Sequence, residues 1–281
     1  KKMLEDAGFT DTESIVTSKN TYVAPFVNAE EAQYLVIENA FPNGRPALEN
    51  AGVMFTSRET VEKVERMKVC TCLNPLHTAL AVYGCLLGYT KISDEMKDAD
   101  LVKLVEIIGY KEGLPVVTDP GILSPKKFID EVLQIRVPNP FMPDTPQRIA
   151  CDTSQKLSIR FGETIKEYMA SSELDVKSLK FIPMVQAGWC RYLLGVDDEL
   201  NAFTVSPDPM YEELAGKLAG VKVGESCDVH AVLSPILSDA KIFGVNLYEA
   251  GLGEYVESIF AELIAGKGAV RETLKRHLAE A

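Results

Sequence analysis

The apolar positions of this chain change their period near residue 60. Before that point they come as short β-branched runs: Ile15-Val16-Thr17, Tyr34-Leu35-Val36-Ile37 and Val53-Met54-Phe55. Runs of that length and type predict strands. The stretch Pro42-Asn43-Gly44-Arg45-Pro46 supplies turn chemistry between two of them. Three strands this short cannot bury a core of their own, so they are expected to extend a sheet lying outside this chain. From Thr60 the spacing is helical, with Val61, Val64 and Met67 on one face and Leu101, Leu104, Val105 and Ile108 forming a second stripe. The run Thr78 to Leu87 is nearly all apolar but too short to cross a bilayer, which predicts a buried core helix.

Further along, loops rich in Pro and Gly are expected at Gly113 to Pro125 and Pro138 to Pro146. Pro146 suits a first helical turn, with Thr145 or Asp144 as cap, and predicts one long helix running to Ala170. A buried helix is expected over Phe181 to Leu194, closed by Gly195. Helices over Pro207 to Leu218, His230 to Leu237, Tyr255 to Ile264 and Ala269 to Leu278 complete the pattern. The predicted fold is mainly α over residues 59–281, preceded by a strand-containing segment, residues 1–58.

Composition narrows the class. The 281 residues are 46% hydrophobic and 25% charged, enough apolar material for a sizeable core, and the formal charge is −12. An acidic surface repels phosphate backbones and anionic membranes, so neither nucleic acid nor lipid is expected as a partner. Local cations can still attract an anionic small molecule. Cys70, Cys72, Cys85, Cys151, Cys190 and Cys227 form no disulfide framework and are expected as thiols in a cytoplasmic protein. The start, Lys1-Lys2-Met3-Leu4-Glu5-Asp6, is unlike a signal peptide, and the natural chain is expected to begin further upstream.

No dinucleotide fingerprint is present. Gly251-Leu252-Gly253 lacks a third glycine, and Gly266-Lys267-Gly268 falls between two predicted helices, where it suits a turn. Cys70-Thr71-Cys72 with His77 is spaced too tightly for zinc, and no metal is expected.

Two segments place polar side chains within apolar helical surroundings. The first is Lys68-Val69-Cys70-Thr71-Cys72-Leu73-Asn74-Pro75-Leu76-His77. Oxidation of an alcohol needs a base for the hydroxyl proton and donors for the developing oxyanion. Lys68 offers the first and Asn74 and His77 the second; equally, Asn74 can cap a helix that starts at Pro75. The second segment runs from Arg148 to Lys156. Arg148, Asp152 and Lys156 are four apart and would share one helical face. They can grip a carboxylate or sugar hydroxyls, or form a solvated charge ladder.

Together these segments resemble the mannitol dehydrogenase family of long-chain polyol and sugar-acid dehydrogenases. The resemblance rests on Phe41 to Leu48, Lys68 to Ala79, Asn139 to Lys156 and Ala187 to Leu193, in order along nearly the whole chain. It implies a helical C-terminal domain related in fold to that of 6-phosphogluconate dehydrogenase. Residues 1–58 would then be the tail of a Rossmann domain whose remainder precedes this chain. It also implies NAD- or NADP-dependent hydride transfer on a sugar acid, with D-fructuronate and D-mannonate as the expected pair, and a chain inactive by itself. By resemblance Lys68 is the general base, Asn74 and His77 hold the reacting oxygen, and Arg148 and Lys156 contact the substrate. Mannitol 2-dehydrogenase, tagaturonate reductase and sugar-phosphate dehydrogenase activities are the alternatives within the family, and a non-catalytic module that keeps the fold is a further one.

The family pattern is K-x4-N-x2-H, whereas five residues separate Lys68 from Asn74 here. One added residue turns a regular helix by about 100°. Register is kept if a one-residue bulge absorbs the insertion or if Lys68 lies in irregular chain before the helix.

Overall fold

The computed structural model describes residues 2–10, 12–16, 22–23, 35–142 and 144–281. The chain divides into two compact units, Lys1–Leu35 and Val36–Ala281. The first holds the helix Lys2–Asp6 and a two-stranded antiparallel ladder, Ile15–Val16 with Tyr22–Val23. Thr17 and Tyr34, predicted as strand residues, and Pro143, in a predicted loop, lie outside the described residues.

The second unit opens with a parallel pair, Val36–Glu38 beside Met54–Thr56, in the register Val36 to Met54 and Glu38 to Thr56. This pair belongs to the helical body, whereas the sequence alone places the boundary at residue 58. The reason is a one-residue connection. Met54–Thr56 is joined through Ser57 to the helix Arg58–Met67, and the Ser57 hydroxyl caps that helix by accepting from Thr60 N. The helix packs back on Val36–Glu38, with Arg58 3.9 Å from Glu38.

Two helices form the centre of the body. In Asn74–Leu86, eleven residues are buried, and in Phe181–Tyr192 every residue is. They pack together, and the Tyr83 hydroxyl joins them by donating to Met184 O at 3.1 Å. Fully burying one large apolar side chain contributes about 1.5–3 kcal/mol, so these two helices dominate the core. Gly253–Leu263 also packs against Phe181–Tyr192, and Trp189 meets Phe243 edge-on at 5.8 Å. Arg191 is fully buried in this core because its guanidinium donates to the carbonyls of Leu263, Val196 and Asp197. Glu112 is also buried; its carboxylate accepts from the backbone N–H groups of Lys180, Phe181 and Ile182, and so caps the core helix from outside its own sequence.

The helical run Arg58–Leu86 contains one window long and apolar enough to cross a membrane by length and composition. Of that window 89% is buried inside the protein, which makes it core. The predicted stripe at Leu101 is the helix Ala99–Glu106, and Gly195, with φ +65°, closes the core helix by donating to Tyr192 O.

One predicted element does not form. The helix expected from Pro146 to Ala170 is broken into Pro146–Ile149, a 3-10 turn Thr153–Gln155, a π turn Ser158–Gly162 and the helix Glu163–Ala170. Asp152 has φ +52°, in the left-handed region, and its N–H donates to Pro207 O at 2.8 Å. The Asp208 carboxylate takes both the N–H and the hydroxyl of Ser154. These bonds to a distant segment displace the i→i−4 bonds a continuous helix would need. The predicted cap at Thr145 does form: its hydroxyl accepts from Arg148 N at 3.2 Å.

Candidate functional site

Lys68 begins a π turn, Lys68–Cys72, inserted between Arg58–Met67 and Asn74–Leu86. Leu73 N donates to Lys68 O at 3.1 Å, an i→i+5 bond. Such a turn takes up one residue more than an α-helical turn. The insertion between Lys68 and Asn74 is therefore housed as a bulge. The Lys68 side chain is half-buried, and its one polar partner among the described residues is Glu65, at 3.4 Å.

Asn74 is the first residue of the core helix, and the capping position before it is Leu73, which makes no side-chain cap bond. Among the described residues the Asn74 amide makes no hydrogen bond, so it does not act as the cap that Pro75 suggested. Its backbone carbonyl accepts from the Thr78 hydroxyl at 2.8 Å.

His77 follows at the next turn. Burial pushes its imidazole down to about 4; Asp144 pulls it up, and Arg136, Arg160 and Arg148 push it further down. His77 is thus neutral at neutral pH, and four charged side chains from three segments lie within electrostatic range of its ring. Arg136 ends the π turn Val132–Arg136. Asp144 and Arg148 bracket the start of Pro146–Ile149, which packs on the core helix. Arg160 is the middle residue of Ser158–Gly162.

Arg148 and Lys156 do not share a helical face, because the chain leaves the helix at Ala150 and reverses at Asp152. The i,i+4 ladder through Asp152 is absent as well. Arg148 forms an ion pair with Asp144, and the Lys156 ammonium donates to Cys151 O. Lys156 instead lies near Arg160, Asp152 and Asp208. Burial holds its ammonium below the ordinary lysine range, and the nearby Arg160 guanidinium lowers it further. Arg148 lies within electrostatic range of His77, with Asn74 one turn away on the same helix, and so do Arg136 and Arg160, which the sequence did not single out; Lys156 lies within that range of Arg160. One signal was available for Arg136: no acidic residue stands three or four positions from it on either side.

Arg160 is held firmly. Its Nη1 donates to Thr78 Oγ1 at 2.7 Å, and burial draws its guanidinium down to about 10. Its turn is seated by a close backbone approach, since a Cβ on Gly162 would stand 2.2 Å from Phe243 O. Only glycine permits that contact.

The glycine pairs do not fit a dinucleotide phosphate. At Gly266-Lys267-Gly268, the Asp198 carboxylate already accepts from Val270 N and Arg271 N, filling that helix N-terminus. At Gly251-Leu252-Gly253, Leu252 N and Gly253 N both donate to Leu247 O, and the Tyr248 ring lies against Gly253. Among the described residues, no group of three or more His, Cys, Asp or Glu side chains is placed to hold a metal ion.

Residues 60–260 match the family described as the mannitol dehydrogenase C-terminal domain. The chain is 60% identical over 279 residues to D-mannonate oxidoreductase of Thermotoga maritima, a match covering 98% of this chain and 51% of that protein. It is 31% identical over 241 residues to mannitol 2-dehydrogenase of Aspergillus niger, covering 83% and 47%. In three dimensions it is similar to Pseudomonas fluorescens mannitol 2-dehydrogenase in a ternary complex with NAD and D-mannitol, with TM-score 0.72 and 27% identity over 88% of this chain and 46% of that one. The chain spans about half the length of the curated relatives it matches.

Proposed function

The chain belongs to the mannitol dehydrogenase family, and from that premise we propose that it is the substrate-side domain of an NAD(P)-dependent oxidoreductase interconverting D-mannonate and D-fructuronate. The observation that carries the choice of a sugar acid is local charge. In a protein of net charge −12, Arg136, Arg148 and Arg160 lie within electrostatic range of the neutral His77 ring and Lys156 lies near Arg160, against Asp144 beside Arg148 and Asp152 and Asp208 near Lys156. Such a cluster favours an anion over a neutral polyol.

In this reading Lys68 accepts the hydroxyl proton as the alcohol is oxidised and returns it on reduction. The Asn74 amide, without a hydrogen bond among the described residues, and the neutral His77 ring donate to the oxygen that becomes the carbonyl. Burial matters for His77 because a neutral ring donates without competing for the proton that Lys68 handles. Arg148 and Lys156 orient the rest of the sugar chain. The glycine pairs here are occupied by protein groups, so we attribute NAD or NADP binding to residues outside this chain. The six free thiols suit a reducing, cytoplasmic setting.

One observation favours the neutral-polyol alternative: Arg148 already has an anionic partner in Asp144. Assays of the intact protein with D-mannonate and D-mannitol, each with NAD+ and NADP+, separate the two. Turnover of D-mannitol without D-mannonate would remove the sugar-acid reading.

A further inference from the structure

The segment that carries Arg148 and Lys156 is shaped from outside itself. Pro146–Ile149 is one turn long, and beyond it the chain reverses at Asp152, whose φ of +52° lies in the left-handed region that a residue with a side chain rarely adopts. The bonds that fix this shape come from residues 206–208, and Ser154 and Asp208 stand 54 positions apart. The Ser206 hydroxyl donates to Gln147 O at 2.7 Å, next to Arg148. Asp152 N donates to Pro207 O at 2.8 Å. One Asp208 carboxylate oxygen accepts from Ser154 N at 2.8 Å and the other from the Ser154 hydroxyl at 2.5 Å, two residues before Lys156. The same carboxylate accepts from Met210 N at 2.9 Å, which fixes its own orientation. This strap is anchored in the core, because Ser206 N donates to the Tyr192 hydroxyl oxygen at 2.7 Å and Tyr192 is a buried residue of Phe181–Tyr192.

We propose that Asp208 is a positioning residue for substrate binding: its grip on Ser154 holds the reversal at Asp152 and so sets Lys156 in place to meet the substrate. This rests on the reading of Lys156 as a substrate contact, and it adds a residue that touches no substrate itself. A left-handed backbone at a residue such as aspartate persists only where surrounding bonds over-determine it. Here the bonds from Ser206, Pro207 and Asp208 do so, and those to the ionised carboxylate are the strongest of them. The competing conformation is the continuous helix that the local sequence favours from Pro146. Its axis would carry Lys156 about 12 Å past Arg148. The Lys156 ammonium donates to Cys151 O, within the reversal, so its place depends directly on the shape that Asp208 maintains. The negative charge of Asp208 also lies near that ammonium and opposes the effect of burial on it. Holding a binding group in advance lowers the ordering entropy lost when substrate arrives.

The test uses the intact protein with whichever of D-mannonate and D-mannitol it oxidises. KM, kcat and Kd for that compound are measured for wild type, Asp208→Ala, Ser154→Ala, Lys156→Ala and the double variants that combine Lys156→Ala with each of the other two. Thermal melts follow folding. Asp208→Ala and Lys156→Ala are each expected to raise KM and Kd by about 10- to 100-fold, with kcat within a few-fold of wild type. Ser154→Ala leaves the backbone bond to Asp208 in place and should raise them less, by about threefold. In the double variants the second substitution should add almost nothing to the effect of Lys156→Ala, because Asp208 acts through Lys156. A merely structural Asp208 would give effects that multiply. Multiplying effects, a wild-type KM in Asp208→Ala, or a loss confined to kcat each overturns the proposal. Should Asp208→Ala not fold, Ser154→Ala decides by the same comparison: a wild-type KM, or a rise that survives on the Lys156→Ala background, overturns it. Lys156→Ala with wild-type KM and Kd removes the underlying reading of Lys156 first, and the proposal with it. So does a wild type that oxidises neither compound.

Discussion

Arg160 and Thr78 stand 82 positions apart and are joined by one hydrogen bond, Nη1 to Oγ1 at 2.7 Å. Thr78 in turn donates to the carbonyl of Asn74 and follows His77 directly, so this bond ties a cationic turn to the helix end that carries the polar pair. Thr78→Val keeps the shape and removes the acceptor. It is expected to leave kcat nearly unchanged, raise KM for D-mannonate by about tenfold, and lower stability by about 1 kcal/mol. Steady-state kinetics and denaturant melts check both numbers; a variant with wild-type KM would show that Thr78 does not position Arg160.

His77 gives a pH-dependent prediction. Its ordinary value is 6.5, and burial brings it to about 4 in the folded protein, with Asp144 opposing and Arg136, Arg160 and Arg148 adding to the shift. The unfolded chain therefore binds this proton more readily than the folded one. Stability from this residue is intact above the ordinary value and is lost as pH falls from about 6.5 towards 4. Because part of the residue reaches solvent, the loss is set at about 1–3 kcal/mol. His77→Gln should remove that slope from a stability-versus-pH series. In the intact enzyme it should lower kcat by about a hundredfold if the ring donates to the oxyanion. An NMR titration of His77 with a midpoint near 6.5 would contradict both statements.

Lys68→Ala is expected to lower turnover of the intact protein by about a hundredfold or more, with partial relief at high pH, where solvent hydroxide substitutes for the base. Substrate binding should change little. A variant that loses affinity and keeps kcat would place Lys68 among the binding residues.

Glu95 is fully buried, and among the described residues neither carboxyl oxygen has a hydrogen-bond partner. Burial pushes its carboxyl up to about 9 from the ordinary 4.5, with the Asp98 charge adding to it. The folded state keeps this proton where the unfolded chain releases it, so stability declines as pH rises from about 4.5 to about 9. Glu95→Met is expected to stabilise the protein by about 2 kcal/mol at pH 7 and to flatten that decline. The carboxyl fits only because residue 84 has no side chain: a Cβ there would stand 2.2 Å from Oε1. Gly84→Ala should cost about 1–3 kcal/mol through overpacking, and Glu95→Met combined with it should not add simply. Chemical denaturation across pH decides the case.

Much of the fold is legible in local sequence. The helices Arg58–Met67, Ala99–Glu106, Phe181–Tyr192 and Ala269–Ala279 all lie within a few residues of their predicted spans. The reason is that an apolar stripe at helical spacing and a cap such as Thr145 act over three or four residues. The separation of Asn74 from His77 is legible for the same reason. So is the problem of register at Lys68, though not which solution the chain adopts.

The sequence by itself determined a helix-rich body, a buried helix after His77 and an extra residue that some irregularity had to absorb. Tertiary structure alone decided that the irregularity is a π turn, that the helix expected from Pro146 breaks at Asp152, and which arginines have no carboxylate partner among the described residues. Each of those outcomes depends on groups far apart in the chain: Pro207 and Asp208 capture the backbone at Asp152 and Ser154, and Phe243 seats the turn that carries Arg160. A residue's charge is written in its name, but whether that charge is paired depends on which distant carboxylate the packing brings within reach. Among the described residues it brings none to Arg136 or Arg160.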